Sequence, residues 1–330
     1  MKKVLLVNGD SCKEPSFGFQ CKKAFSKLNY NVNIFNYRTF QFHRFDITNK
    51  VLNKILIKKI STFNPDIVLV IKGEGILPGT LKKIDRKNKI IINWCLDEPF
   101  GKFSKFNKVK NIEEYDYFFM FDKYYSELLT KKGINAPYLP VAGDPDIHRE
   151  IIPVNKRKYI CDLSFIGSHQ PNREKILTEI ADYDIKVWGY RWKNIDKNSS
   201  LYPEIQENII KGNKTVKGAY EMCKYFNLSK INLNMHHPQA VKGGINLRVF
   251  EVLLTNSFLV SDYQEGIEKL FKLNKEIVCY NNVKELRESI DYYLRNEDER
   301  LKIAKAGQKR TLKEHKVIDR IKEMLRIIHV

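Results

Sequence analysis

Along the chain, short runs of continuously apolar residues alternate with longer stretches whose apolar residues recur every three or four positions. The first run, Val4–Val7, ends in the turn signal Asn8-Gly9-Asp10. Phe17, Cys21, Ala24, Phe25 and Leu28 then fall at helical spacing. Asn31–Phe35 alternates as a strand does, and Val51–Ile60 returns to the helical period. The run Asp66–Ile71 is apolar after its first residue and is closed by Lys72-Gly73-Glu74-Gly75. A polar helix is predicted over 78–86. Ile90–Trp94 is a further apolar run, closed by Leu96-Asp97-Glu98-Pro99, and Tyr117–Phe121 is another. Strands that are apolar throughout and separated by helices predict a parallel sheet covered on both faces.

The alternation then restarts. Pro137, Pro140, Gly143, Pro145 and Pro153 cluster ahead of the basic Lys156-Arg157-Lys158, and Pro-rich polar segments commonly join domains, which places a linker at 142–156. Strands are predicted at Ile160–Ile166, Ile185–Trp188, Lys230–Leu233, Phe258–Val260 and Ile277–Tyr280. Helices are predicted at Asn172–Tyr183, Leu247–Leu254, Leu286–Leu294 and Glu299–Ala306, and over an amphipathic stretch reaching Ile328. The fold class is therefore α/β, with two Rossmann-like, doubly wound parallel-sheet domains facing a cleft. They span residues 1–145 and 156–310, followed by a terminal helix over 311–330. The 330 residues suit two domains of about 150 each. In such sheets ligands lie at the carboxyl ends of the strands.

Composition narrows the setting. Hydrophobic residues make up 43%, enough for real cores. The apolar run near the start is too short for a signal h-region, and no run approaches the roughly 18 apolar residues of a membrane span. A cytoplasmic protein is expected. The six cysteines show no Cys-x-x-Cys spacing, so neither a zinc knuckle nor a thioredoxin-type site is implied. The net charge of +19 fits a Lys-rich compositional bias, or an attraction to anionic substrates or to the inner face of an anionic membrane. No nucleic-acid module accompanies it. The tail carries Val317, Ile318, Ile321, Met324, Leu325 and Ile328 on one face, with basic residues opposite. Such a helix packs on a domain or lies on a membrane.

The densest chemistry lies in Gly243-Gly244-Ile245-Asn246-Leu247-Arg248-Val249-Phe250-Glu251. Two glycines opening a helix leave backbone N–H groups free for an anion. Arg248, a turn further on, suits a phosphate. Glu251 shares its face and could accept both hydroxyls of a ribose. A glycine-capped surface helix with an ordinary Arg/Glu pair reads equally from spacing alone. Gly167-Ser168 after a strand, Arg173 and Tyr190 are further candidates for the nucleotide. Asp97 ends an apolar strand between Trp94 and Pro99, where a carboxylate could act as general base; Asp10 and Glu74 end neighbouring strands. A turn-forming Asp is the alternative. His236-His237 reads as a solvent-facing loop, because adjacent side chains diverge. No Gly-x-Gly-x-x-Gly follows the first strand, which argues against an NAD enzyme.

Residues 158–310 resemble the glycosyltransferase domain of the spore-maturation CgeB type, a relative of the group 1 glycosyl transferases of the GT-B fold. The resemblance rests on Cys161-Asp162-Leu163-Ser164-Phe165-Ile166-Gly167-Ser168, Asn172-Arg173, Trp188-Gly189, Leu233-Asn234, Asn246 to Glu251, and Asp262. Ala304, Gly307, Arg310 and His315 match its terminal helices, and the first half agrees more loosely through Lys72-Gly73 and Trp94-x-x-Asp97-x-Pro99. It implies a transferase that moves a sugar from a nucleoside diphosphate to a hydroxyl of a glycan, a lipid-linked or a protein acceptor, in cell-surface glycan synthesis. The alternative is a nucleotide-binding module of the same fold without catalysis. The implied donor is of UDP or dTDP type and serves as co-substrate. No separate cofactor or metal is implied, and Arg, Lys and helix N-termini meet the phosphate charge. The second domain would hold the donor, with Glu251 on the ribose and Arg248 or nearby amides on the diphosphate. Related retaining enzymes carry Glu-x7-Glu. Glu251 takes the second place, and Gly243 stands in the first, so the stereochemical outcome stays open.

Overall fold

Each apolar run predicted as a strand forms one, and all ten pair in parallel. The computed structural model describes residues 1–9, 15–37, 46–103, 108–192, 195–205 and 216–330, with backbone alone at 46–48 and 204–205. The chain divides into two compact units. The first comprises 1–141, 238–245 and 317–330; the second comprises 142–237 and 246–316.

In the first unit, β1 (Lys3–Asn8), β2 (Asn31–Asn36), β3 (Ile67–Ile71), β4 (Ile90–Cys95) and β5 (Tyr117–Met120) lie in the order β2-β1-β3-β4-β5. Val4 pairs with Ile67 and Ile71 with Trp94. All five residues of β3 are buried, on both faces of the sheet. Each such aliphatic side chain is worth about 1.5–3 kcal/mol when taken out of water, so the helices that cover both faces follow from the sequence of the strand. Those helices include α1 (Phe17–Lys27), α2 (Asp46–Phe63) and α3 (Lys123–Thr130). Ser16 caps α1 by accepting from the Phe19 N–H, and Asp122 caps α3 by accepting from the Tyr124 N–H.

In the second unit, β6 (Cys161–Ile166), β7 (Ile185–Trp188), β8 (Ser229–Asn234), β9 (Leu259–Asp262) and β10 (Val278–Tyr280) take the order β10-β9-β8-β6-β7. The helices are α4 (Pro171–Thr178), α5 (Tyr202–Ile205), α6 (Gly218–Asn227), α7 (Leu247–Leu254), α8 (Val283–Arg295) and α9 (Glu297–Glu314). Leu163, Phe165, Val187, Ile231, Leu233 and Val260 form the centre of its core.

Three sequence expectations meet a different outcome. The polar helix over 78–86 is a single 3-10 turn, Leu81–Lys83. The Glu114 carboxylate accepts from the backbone N–H groups of Gly79 and Leu81, which ties this segment to another partner. The Pro-rich stretch 142–156 is packed into the second unit. His148 is fully buried there, and the Asn227 side chain accepts from the N–H groups of Ile151 and Ile152. The tail helix is two helices. α9 stops at Glu314, and the His315 ring meets the Leu270 carbonyl. The chain then resumes as α10 (Val317–Ile327), whose apolar face packs on α1 in the first unit. The buried Arg320 of α10 donates to the Pro140 carbonyl. Among the described residues no helix is long and apolar enough to cross a membrane.

Candidate functional site

In the second unit, the strand ends and the start of α7 bring most of the nucleotide candidates together. Asn246 is the N-cap of α7, but its side chain does not cap the helix. It donates instead to Asn234 Oδ1 at the end of β8, at 2.9 Å, and its own Oδ1 has no partner. One turn on, Arg248 Nη1 meets Glu251 Oε2 at 2.6 Å, the i,i+3 pair read from the sequence. Arg248 also donates from Nε to the Ile166 carbonyl at the end of β6, and its guanidinium lies 5.2 Å from the Phe226 ring centre. These contacts hold the guanidinium on the protein and aim it at the carboxylate, so Arg248 acts first as the group that orients Glu251. The other Glu251 oxygen faces His148 Nε2 at 3.5 Å. His148 is a neighbour the sequence gave no reason to single out, because it lies in the stretch read as a linker.

The loop after β6 is shaped by close backbone packing. A Cβ on Gly189 would stand 2.0 Å from the Gly167 carbonyl oxygen, and Gly189 adopts φ +143°. Only glycine fits there. Trp192 Nε1 donates to the same carbonyl. Arg173, on α4, spans two strand ends: Nη1 donates to the Ser168 carbonyl and Nη2 to the Met235 carbonyl, at 2.9 and 2.8 Å. Its Nε is buried and has no acceptor. Burial pushes the Arg173 guanidinium below its usual range, Asp262 opposes that shift, and nearby Arg248 adds to it. Tyr190 is 68% exposed and joins this cluster only through its carbonyl, which accepts from the His169 N–H.

His236 departs from its solvent-facing reading. It is 4% exposed, and its Nδ1 lies 2.7 Å from Asp262 Oδ1 while its N–H donates to both oxygens of that carboxylate.

The remaining candidates belong to the first unit. Gly244 does not open α7. It lies in the arm 238–245, where a Cβ would stand 2.4 Å from Asp122 Oδ2, and that oxygen accepts from Val241 and Lys242. The close approach of the Asp122 carboxylate is what disfavours a side chain at this position. Asp97 follows β4. Its Oδ2 meets Lys72 Nζ at 2.5 Å and its Oδ1 accepts from Gln239. Lys72 itself takes φ +67°, a bend at the end of β3 that brings the ammonium to this carboxylate. Glu74 accepts from the Tyr37 hydroxyl at 2.8 Å. Glu98 is turned inward, where it accepts from the N–H groups of Phe100 and Lys102. Asp10 lies outside the described residues.

Two Asp-x-Asp spacings are present, and neither forms a metal pair. Asp144 accepts from the Asp146 N–H, and Asp182 is held by two nitrogens of Arg287 at the surface. Among the described residues no group of three His, Cys, Asp or Glu side chains is placed to hold a metal ion.

Comparison with known proteins places this geometry. Residues 172–326 match the family model described as Glycosyl transferase-like, a span that covers α7 and α9 and all but one residue of α4 and of α10. The chain is 22% identical over 296 residues to the spore protein CgeB of Bacillus subtilis, a match covering 83% of this chain and 86% of that one. The chain is thus similar to CgeB along most of its length and has the GT-B fold. Sucrose-phosphate synthase from Thermosynechococcus elongatus superposes with a TM-score of 0.70 at 9% identity, over 100% of this chain and 99% of that one. The structure of Anabaena HepE in complex with UDP and glucose superposes with a TM-score of 0.66 at 10% identity, over the whole of both chains. The resemblance read from Cys161 to Asp262 agrees with these comparisons.

Proposed function

We propose that this CgeB-like chain transfers a hexosyl group from a nucleoside diphosphate of UDP or dTDP type to a hydroxyl of a glycan, a lipid-linked or a protein acceptor, without a metal. The observation that carries the reading is the Arg248–Glu251 pair in α7, beside the carboxyl end of β6. A carboxylate aimed by a fixed guanidinium keeps two acceptor oxygens in place, the arrangement a ribose diol needs. The second unit takes the donor, with Gly167, Ser168 and Arg173 near the diphosphate. Asp97 in the first unit acts as base toward the acceptor hydroxyl, with Lys72 and Gln239 fixing its orientation. The work is cytoplasmic in this reading. Contact with the inner face of an anionic membrane belongs to it through α2, whose exposed Lys50, Lys54 and Lys58 flank exposed Val51 and Ile55.

The test is turnover of UDP-sugars by the wild type and by Asp97→Asn, with UDP affinity measured beside it. Asp97→Asn is expected to bind UDP normally and to lose about 10²–10⁴-fold in transfer rate. A variant that transfers at the wild-type rate removes Asp97 from the mechanism. A wild type that binds UDP and turns over no sugar on any acceptor leaves a nucleotide-binding module.

A further inference from the structure

We infer that His236 is a phosphate-binding residue of the donor site, set for that task by Asp262 and acting beside Arg173. The inference rests on the donor reading above and deepens it. His236 sits just past the end of β8 and Asp262 ends the neighbouring strand β9. The carboxylate can only accept, so Nδ1 carries the hydrogen of the 2.7 Å contact. The two backbone N–H contacts to the same carboxylate lock the pair further. The ring is thereby fixed with Nε2 turned away from Asp262, and Nε2 is buried without any partner.

A buried polar atom left unpaired carries a desolvation cost, and such atoms gather where a ligand completes them. A second orphan lies close by. Arg173 Nε is buried with no acceptor, while Nη2 of the same guanidinium holds the carbonyl of Met235, the residue directly before His236. Arg173 N–H can only donate, so its missing partner is an acceptor. An anionic phosphoryl oxygen fits it, and fits Nε2 as well when the ring binds as imidazolium, with Nδ1–H on Asp262 and Nε2–H on the phosphoryl oxygen. Arg248, whose charge reaches Arg173, adds to the positive side of the cluster. Asp262 touches no ligand in this arrangement. It is a positioning residue that holds Nδ1–H and with it the orientation of the ring, as second-layer carboxylates do for other functional histidines.

The side chains available make a discriminating test. Asparagine at 236 keeps a nitrogen near Nδ1 for Asp262 but has nothing at the place of Nε2. Glutamine can put its nitrogen near Nε2. Binding of inorganic pyrophosphate and of UDP is measured calorimetrically for wild type, His236→Asn, His236→Gln and Asp262→Asn. His236→Asn is expected to bind both about tenfold or more weakly, because a hydrogen bond to a charged group is lost. His236→Gln is expected to stay much closer to wild type, and Asp262→Asn to lie between. If His236→Asn binds pyrophosphate as well as wild type, or no worse than His236→Gln, the histidine is structural and the inference is wrong. If His236→Asn does not fold, Asp262→Asn decides: undiminished pyrophosphate affinity overturns the inference. Wild type that binds pyrophosphate through His236 but no nucleoside diphosphate would sink the donor reading and leave the phosphate site. Wild type that binds UDP with equal affinity in every variant would do the reverse. Wild type that binds neither overturns both.

Discussion

Replacing Glu251 probes the donor site most sharply. Two ribose hydroxyls donating to an ionised carboxylate contribute about 1.5–3 kcal/mol each, and such contributions add incompletely, so about 3 kcal/mol in all is a fair figure for Glu251→Ala. At about 1.4 kcal/mol per decade, that is roughly a 10²-fold loss of affinity for UDP. Glu251→Gln keeps one acceptor oxygen and is expected to lose about tenfold. The same substitutions disturb the apo protein, because Arg248 loses its 2.6 Å partner and keeps only Ile166, Phe226 and its weaker neighbours. Leaving a half-buried guanidinium without its carboxylate costs about 1–3 kcal/mol, which at roughly 2–4 °C per kcal/mol lowers the unfolding midpoint by several degrees. Calorimetric titration with UDP, run well below both midpoints, separates the two effects. A folded Glu251→Ala protein that binds UDP as tightly as wild type would refute the assignment of the ribose to this carboxylate.

Two further outcomes follow from the packing. Gly189→Ala forces a Cβ against the Gly167 backbone at a φ that side chains rarely adopt, so it is expected to lower the thermal midpoint of the protein strongly, whereas Gly133→Ala, with open space around it, pays only its backbone strain; similar midpoints for the two would contradict the packing argument. Burial pushes the Cys95 thiol up to about 12, with smaller opposing effects from the Asp97 carbonyl and Lys72. Its folded value lies above its unfolded one, so the stability it contributes is complete below about pH 9 and fades as pH rises towards 12. Mass spectrometry after iodoacetamide treatment at pH 8.5 is expected to find Cys95 unmodified in the folded protein and alkylated only after denaturation.

The strands were legible because a parallel sheet covered on both faces needs largely apolar runs, which β3 supplies without interruption and β4 with Asn93 as its one polar residue. The pair Arg248–Glu251 was legible for a similar reason: an i,i+3 spacing in a helix puts two side chains on one face regardless of what surrounds them. What could not be read depends on partners distant in sequence. Glu114 takes the amides of residues 79 and 81 and leaves one turn where a helix was expected. Asn227 gathers the chain at 151–152, so prolines that look like a linker become part of a packed unit. His236 gains its meaning only from Asp262, 26 positions on, and His148 only from Glu251. Gly244 was read as a helix opener because the residues after it are helical. Its actual constraint is Asp122, more than a hundred residues earlier.

The central claim is that the second unit is a nucleoside diphosphate site, and it is tested most directly by thermal unfolding of the wild-type protein with UDP, dTDP, GDP, CMP and NAD. A ligand that binds only the folded state adds about 2.7 kcal/mol at a hundredfold excess over its dissociation constant, a shift of several degrees for domains of this size. The account predicts that UDP or dTDP gives that shift and that Glu251→Ala abolishes it. A shift with NAD alone, or with none of the five, would contradict it.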